Sequence, residues 1–121
     1  MAYEVEFTDE FGEWWETLSE REQEELSARV ALIERLGPAM RRPYSGEIEG
    51  SEFDPRMKEL ICDVGAAHLR VFYIFDPRQV AIILLGGDKT GLWNKWYDQN
   101  IPAADRLYNT YLKELTDEGL I

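Results

Sequence analysis

The chain has 121 residues, of which 45% are hydrophobic and 31% charged, and it carries one cysteine, one histidine and a formal net charge of −11. This length fits one domain with a single core, and no apolar run reaches the roughly 20 residues that cross a bilayer. A lone cysteine excludes an internal disulfide, and one cysteine with one histidine cannot build a zinc site. We therefore expect a single soluble domain over residues 1–121, without metal or cofactor.

The N-terminus is acidic and lacks the basic-then-apolar pattern of a secretory signal, which together with the single cysteine predicts a cytoplasmic protein. Residues 1–36 contain 11 acidic and 3 basic residues, whereas residues 37–100 contain 9 acidic and 8 basic residues. Contact with nucleic-acid phosphates needs clustered Lys and Arg. The total charge therefore favours a protein partner, while the nearly neutral middle of the chain leaves room for a local basic cleft.

The first third of the chain reads as a strand followed by two helices. Tyr3–Phe7 alternates apolar residues with glutamate, which is typical of a half-buried strand. Thr8 is an N-cap for a helix over Glu10–Leu18, and Ser19 with Glu22 forms a capping box for a second helix. Gly37-Pro38 ends that helix. Because so little chain separates the helices, we expect an antiparallel helical hairpin.

The segment from Lys58 to Lys89 reads as three consecutive strands joined by two tight connections. Its middle strand, LRVFYIF, is apolar on both faces and so is expected at the centre of a sheet. Thr90–Asn100 is expected to be irregular, and Pro102 is expected to begin a final helix. The predicted order is β-α-α-β-β-β-α, an α+β fold in which an antiparallel sheet packs against an N-terminal helical hairpin and a C-terminal helix.

A metal-independent ribonuclease must deprotonate a 2′-hydroxyl, stabilise negative charge on phosphorus and protonate a leaving oxygen. Arg70, inside an apolar strand, could place a guanidinium fork against a phosphate. His68 lies on the same face by strand alternation, and Lys89 follows the neighbouring strand. These three are the candidate catalytic residues. The candidate RNA-binding residues, two cations and two aromatics able to stack on bases, are Lys58, Lys95, Trp93 and Tyr97.

Each of these residues also has a structural interpretation. An arginine in a strand is more often an ion-pair partner, and a lone histidine more often lies at a loop end. Lys89 stands in a GGDKTG segment that lacks the spacing of a phosphate-binding loop, so nucleotide binding is rejected. Aromatic residues ahead of a terminal helix, such as Trp93 and Tyr97, more often cover the edge of a core.

Several segments resemble the HigB/RelE superfamily of toxins, in particular its HigB-like, phage-derived branch. One is the opening strand with its helical hairpin, and the others are short motifs spread over nearly the whole chain. These motifs are YSGEIEGS (Tyr44–Ser51), KEL (Lys58–Leu60), LRVFY (Leu69–Tyr73), AIILLGGDK (Ala81–Lys89) and IPAADRLY (Ile101–Tyr108).

The resemblance implies a RelE-like fold and the toxin role of a type II toxin–antitoxin module, many of whose toxins cut mRNA on the translating ribosome. It also implies an antitoxin partner, often a helix-turn-helix protein, and Arg70 and Lys89 match the family's functional positions best. Two alternatives remain open. One is a ParE-like toxin that inhibits DNA gyrase by binding, and the other is a non-catalytic, protein-binding member of the fold.

Overall fold

The computed structural model describes residues 2–121 and contains one five-stranded sheet with helices on both of its faces. The elements follow in the order β1 (Val5–Phe7), α1 (Asp9–Trp15), α2 (Glu20–Leu36), a 3₁₀ turn (Gly37–Ala39), β2 (Ser45–Glu47), β3 (Lys58–Val64), β4 (Ala67–Phe75), β5 (Ala81–Asp88) and α3 (Asn94–Asp117).

The helical hairpin begins and ends at the residues whose chemistry predicted its caps. Thr8 Oγ1 accepts from the amide of Phe11, and the Ser19–Glu22 capping box is complete, with both reciprocal bonds present. Gly37 takes a left-handed φ of 59°, and a β-carbon there would lie 2.2 Å from the Tyr3 ring. Only glycine satisfies both the turn and this close approach.

The strand order across the sheet is β1-β5-β4-β3-β2. The α+β fold with its hairpin and C-terminal helix is confirmed, but two details differ from the expected antiparallel β-α-α-β-β-β-α arrangement. First, β1 pairs in parallel with β5, so the sheet is mixed. After the helical hairpin and β2, the chain enters β3 in the same direction as β1. Strand β4 reverses that direction and β5 restores it, so β5 runs parallel to β1. Second, β2 adds a fifth strand on the far edge; its three residues, Ser45–Glu47, carry no apolar alternation.

Each face of the sheet buries its own core. The hairpin face packs Leu26 and Ile33 of α2 against residues such as Leu60, Val71 and Ile83. The opposite face, which we call the α3 face, packs one stripe of α3 against residues of β4 and β5 and against Met57, just before β3. That second core contains Met57, Phe72, Ile74, Ile82, Leu84, Trp96, Ile101, Ala104 and Tyr108.

Two adjacent glycines at the end of β5 let both helical layers approach the sheet closely. A β-carbon at Gly86 would lie 2.3 Å from the Trp14 ring, and one at Gly87 would lie 2.6 Å from Trp96 Nε1. The Gly-Gly doublet therefore fixes how near α1 and α3 come to the strand. This matters for function because Gly87 pairs with Arg70 of β4.

The C-terminal helix begins at Asn94, so the expectations of an irregular Thr90–Asn100 segment and a helix start at Pro102 were wrong. Pro102 lies inside α3, where it removes one backbone hydrogen bond. The buried stripe continues across it, with Trp96 and Ile101 on one side and Ala104 on the other. Packing of this stripe offsets the loss. Within residues 2–121, none of the helices is long and apolar enough to cross a membrane.

Candidate functional site

Arg70 lies at the centre of the α3 face, and two acidic residues of β3 flank it. Ile61 pairs directly with Arg70, so Glu59 and Asp63, two residues away on either side, share its face. Arg70 Nη1 donates to Asp63 Oδ1 at 2.8 Å and to its neighbour's carbonyl oxygen, and Arg70 Nε lies 3.4 Å from Glu59 Oε1. The Arg70 side chain is 9% exposed. Arg70 is therefore an ion-pair partner, as its structural interpretation predicts.

Helix α3 supplies the next member of this cluster. Tyr97 Oη donates to Glu59 Oε1 at 2.7 Å, so Glu59 is held by Arg70 and by Tyr97. Burial, followed by the hydrogen bond to Glu59 and the charge of that carboxylate, raises the pKa of Tyr97 far above its ordinary value. Tyr97 is thus a neutral hydroxyl and a hydrogen-bond donor at physiological pH.

Lys89, just beyond β5, completes the cluster. Its Nζ donates to Tyr97 Oη at 3.3 Å and lies 5.2 Å from the centre of the Tyr97 ring. Burial and then the nearby charge of Arg70 lower the pKa of Lys89, although the carboxylates of Glu59 and Asp63 act in the opposite direction. We call these five residues, Glu59, Asp63, Arg70, Lys89 and Tyr97, the Arg70 network.

His68 and Trp93 adjoin the network on its solvent side. His68 Nδ1 lies 2.9 Å from Thr90 Oγ1, which in turn donates to Asp88 at 2.6 Å. Burial would raise the pKa of Asp88, but hydrogen bonds from Thr90 and from the His68 amide lower it overall. The His68 ring packs edge-on against Trp93, with their centres 5.0 Å apart.

Trp93 itself has an unusual backbone. Its φ of 49° and ψ of −116° lie outside the regions that a residue with a side chain ordinarily occupies, at a cost of about 1–3 kcal/mol. The side chain is nevertheless about half exposed, and Lys89 Nζ lies 5.9 Å from its ring centre. Strain that presents an aromatic ring to solvent beside a cation is typical of a binding surface.

The two remaining predicted residues lie apart from the network. Lys58 alternates with Glu59 and so faces the hairpin side, where its Nζ donates to the Pro38 carbonyl at 3.1 Å. It lines an open cleft together with Arg41 and Arg42. Lys95 is exposed on the first turn of α3. The structure therefore brings five of the predicted residues together and leaves out Lys58 and Lys95; the five are Arg70, Lys89, His68, Trp93 and Tyr97.

Arg42 is a residue that the sequence reasoning missed. A β-carbon added to Gly46 would lie 3.2 Å from the Arg42 guanidinium and 3.5 Å from Ile61 Cδ1, so Arg42 reaches over the edge strand towards the α3 face. Its charge is one of those that lower the pKa of Lys89. The available signal was the Arg41-Arg42 doublet, a basic pair in an otherwise acidic chain.

Among relatives of known sequence, two proteins of Mycobacterium tuberculosis (strain ATCC 25618 / H37Rv) are similar to this chain. The candidate toxin HigB3 is 37% identical over 99 residues, covering 82% of this chain and 84% of HigB3. The candidate toxin HigB2 is 34% identical over 105 residues, covering 86% of this chain. The match spans about half of HigB2, 52% of its length.

Two solved structures have a similar fold. A mutant of the E. coli toxin RelE in the free state superposes with a TM-score of 0.60 at 15% identity, covering 85% of this chain and 98% of RelE. The archaeal RelE–RelB complex from Pyrococcus horikoshii OT3 contains a chain that superposes with a TM-score of 0.55 at 17% identity, covering 75% of this chain and 99% of that one. At these identities they show that the fold is RelE-like.

The model of the family described as phage derived protein Gp49-like (DUF891) matches residues 13–109, which include the whole Arg70 network. The resemblance drawn from the short sequence motifs is thereby confirmed. The chain belongs to the Gp49-like family of phage-derived proteins, within the HigB/RelE superfamily of toxins.

Proposed function

We propose that this chain is the toxin of a type II toxin–antitoxin module and inhibits translation as a metal-independent, ribosome-dependent mRNA endonuclease. The observation that carries the proposal is the convergence of Arg70, Lys89 and Tyr97 from two strands and a helix onto one face of the sheet. Two cations and a neutral hydroxyl are the groups that phosphoryl transfer needs when positive charge comes from side chains. The toxin names of two relatives support the same role.

The reaction would be attack of an RNA 2′-oxygen on the adjacent phosphorus, which forms a 2′,3′-cyclic phosphate and releases a 5′-hydroxyl. Arg70 and Lys89 would stabilise the charge that develops on the phosphoryl oxygens. Tyr97 carries the hydroxyl of the network that could protonate the leaving oxygen, once its hydrogen bond to Glu59 is exchanged for one to the RNA. Lys89 Nζ donates to Tyr97 Oη at 3.3 Å, so the cation and this hydroxyl lie side by side.

His68 is the residue best placed to accept the 2′-hydroxyl proton. If His68 Nδ1 donates to Thr90 Oγ1, and Thr90 donates onward to Asp88, the other ring nitrogen, Nε2, is left unprotonated as the base. Residues two apart on one face of a strand are about 7 Å apart, so His68 and Arg70 could flank a single phosphate.

The charge distribution fits RNA binding on one side only. Helices α1 and α2, which carry 8 of the 11 acidic residues of positions 1–36, pack on the face opposite the Arg70 network, so their negative charge points away from RNA bound there. Arg42 reaches over the edge strand towards the α3 face, where its charge lowers the pKa of Lys89, and it also lines the cleft with Arg41 and with Lys58, which faces the hairpin side. We propose that the RNA backbone follows these cations, with Trp93 stacking on a base and Lys95 beside it.

We also propose a cognate antitoxin as the protein partner. A RelE–RelB complex is among the structures of the same fold. The exposed Leu92 and Trp93, next to Lys89, form an apolar surface beside the network, and aromatic residues of this kind are typical interface anchors. A partner seated there would cover the RNA-binding side of the network.

One observation favours a second candidate, a non-catalytic protein-binding role. Arg70 is paired with two carboxylates, as a purely structural arginine would be. Induction of the wild-type chain and of Lys89→Ala in a bacterial host separates the candidates. The nuclease predicts growth arrest with newly mapped mRNA 5′ ends for the wild type only, whereas a gyrase inhibitor predicts DNA damage without cuts. Unchanged growth would leave the binding role.

A further inference from the structure

The two carboxylates that pair with Arg70 differ in burial and in their other contacts. Glu59 is 7% exposed and also accepts a hydrogen bond from Tyr97, so it is fixed in place. Asp63 is 52% exposed, and within residues 2–121 its carboxylate makes no hydrogen bond except the one from Arg70. One partner of Arg70 is therefore built into the core, while the other stands at the solvent boundary.

The position of Asp63 determines what can reach Arg70 from outside. The guanidinium is almost wholly buried, and its Nη1 donates both to Asp63 and to the Leu69 carbonyl. Its Nε faces the buried Glu59. Asp63 thus holds Nη1 of the guanidinium from the solvent side, the approach by which an anion would meet Arg70.

Little holds Asp63 in that position. An ion pair with one half-exposed partner contributes little, because water competes for both charges. Strand β2 pairs with β3 from Lys58 to Leu60, and the Ile61 amide donates to the Tyr44 carbonyl, so Asp63 lies two residues beyond the bonded part of this edge. The side chain can rotate into solvent without displacing a neighbouring strand.

We propose that Asp63 is an internal competitor for the phosphate site of Arg70. Its carboxylate pairs with Arg70 Nη1 in the free protein and swings out when a phosphate enters. The competition between Asp63 and a phosphate concerns Arg70 alone. The further step, that this phosphate belongs to an RNA, rests on the proposed function. Asp63 is here a positioning residue, because it acts through Arg70 and bonds to no reacting atom.

Removal of the competing charge gives a measurable gain of binding. Asp63→Asn keeps the size of the side chain but no longer neutralises Arg70. We expect inorganic phosphate to bind Asp63→Asn roughly two- to fivefold more tightly than wild type, the range that a partly exposed ion pair spans. The readout is the NMR signal of the Arg70 Nε–H group during titration with inorganic phosphate at constant ionic strength.

The matched control is Asp98→Asn, which removes the same charge from an exposed position on α3 that makes no recorded contact with Arg70. Its phosphate affinity should stay within twofold of wild type. An equal gain in both variants would overturn the proposal in favour of a general charge effect. No gain in Asp63→Asn, in a protein that keeps its melting temperature, would also overturn it. Should Asp63→Asn fail to fold, Asp63→Ser is titrated in its place, with the same criteria.

Toxicity separates this inference from the function on which it partly rests. If both hold, Asp63→Asn should bind phosphate more tightly and arrest growth at lower induction than wild type. Tighter phosphate binding by Asp63→Asn, together with a wild-type chain that cuts no mRNA, would support the competition and refute the nuclease. Cleavage that depends on Lys89, with unchanged phosphate affinity in Asp63→Asn, would support the nuclease and refute the competition.

Discussion

Tyr97 and Glu59 join the C-terminal helix to the sheet through one hydrogen bond of 2.7 Å between Tyr97 Oη and Glu59 Oε1. Glu59 in turn lies 3.4 Å from Arg70 Nε, and Lys89 donates to Tyr97 from the other side. The positions of both candidate catalytic cations therefore depend on a contact between elements that are almost 40 residues apart in sequence. A change at either end of this contact should affect chemistry and stability together.

Tyr97→Phe removes the hydroxyl and leaves the buried Glu59 short of a donor. We expect the free energy of unfolding to fall by about 1–3 kcal/mol. The rate of mRNA cleavage should fall by about 10²-fold or more if Tyr97 is the general acid. Urea denaturation and a cleavage assay on translating ribosomes measure the two effects. Full cleavage activity in Tyr97→Phe would rule out the acid role.

Tyr97→Phe also tests how the raised pKa of Tyr97 affects stability at alkaline pH. Because the pKa of Tyr97 is raised in the folded state above its ordinary 10.0, its stabilising contribution is complete below pH 10 and is lost as the pH rises beyond it. Wild type should therefore lose stability above pH 10 more steeply than Tyr97→Phe. Parallel stability curves for the two proteins would contradict the raised pKa.

Arg70→Ala should destabilise the protein as well as abolish toxicity, because it leaves the buried Glu59 without its cation. Removing one member of a buried ion pair costs about 3 kcal/mol or more. Arg70→Lys is the informative variant, since it keeps the charge but loses the fork. We expect Arg70→Lys to retain most of the stability and still lose most of the activity. Wild-type activity in Arg70→Lys would leave Arg70 with a structural role only.

Lys89→Ala should abolish toxicity at little cost in stability, because Lys89 is only partly buried at the edge of the network. Lys113→Ala, which removes an exposed lysine near the C-terminal end of α3, is the matched control and should retain most of the activity. Growth under induction and mapped mRNA ends measure both variants. Equal loss in the two would point to a diffuse basic surface and not to a specific role for Lys89.

Lys89 should also set the alkaline limit of activity. The charged form is required, and burial with the neighbouring Arg70 lowers the pKa of Lys89 below 10.5. Activity should thus decline as pH rises through a value below 10.5, and Lys89→Arg, if active, should shift that decline to higher pH. A pH–rate profile of the two proteins measures the shift.

Gly86→Ala tests the close approach of α1 to the sheet. The added β-carbon would lie 2.3 Å from the Trp14 ring, and such overpacking costs about 1–3 kcal/mol. Gly12→Ala is the opposite case: it lies within α1 with nothing inside 4 Å, so it should stabilise the protein by about 0.5–1 kcal/mol. Thermal unfolding should give a lower melting temperature than wild type for Gly86→Ala and a higher one for Gly12→Ala.

Much of the fold could be predicted from local signals. The caps at Thr8 and Ser19 act within three residues, and the end of α2 depends on the conformational freedom of Gly37. The apolar pattern between Lys58 and Lys89 predicted three strands, and these are the three long strands of the sheet, β3, β4 and β5. By contrast, β2 and the first two turns of α3 could not be predicted, because long-range packing stabilises them: β2 pairs with β3, and Trp96 packs over Gly87.

The candidate site divides in the same way. Strand alternation alone placed His68 and Arg70 on one face, and the motifs around Arg70 and Lys89 pointed to the toxin superfamily. Only the tertiary structure decided which charges meet: Glu59 and Asp63 reach Arg70 through the register of β3 with β4, and Tyr97 reaches Glu59 through the docking of α3. The physical reason is that alternation and capping act over a few residues, whereas pairing between charges depends on how distant elements are aligned.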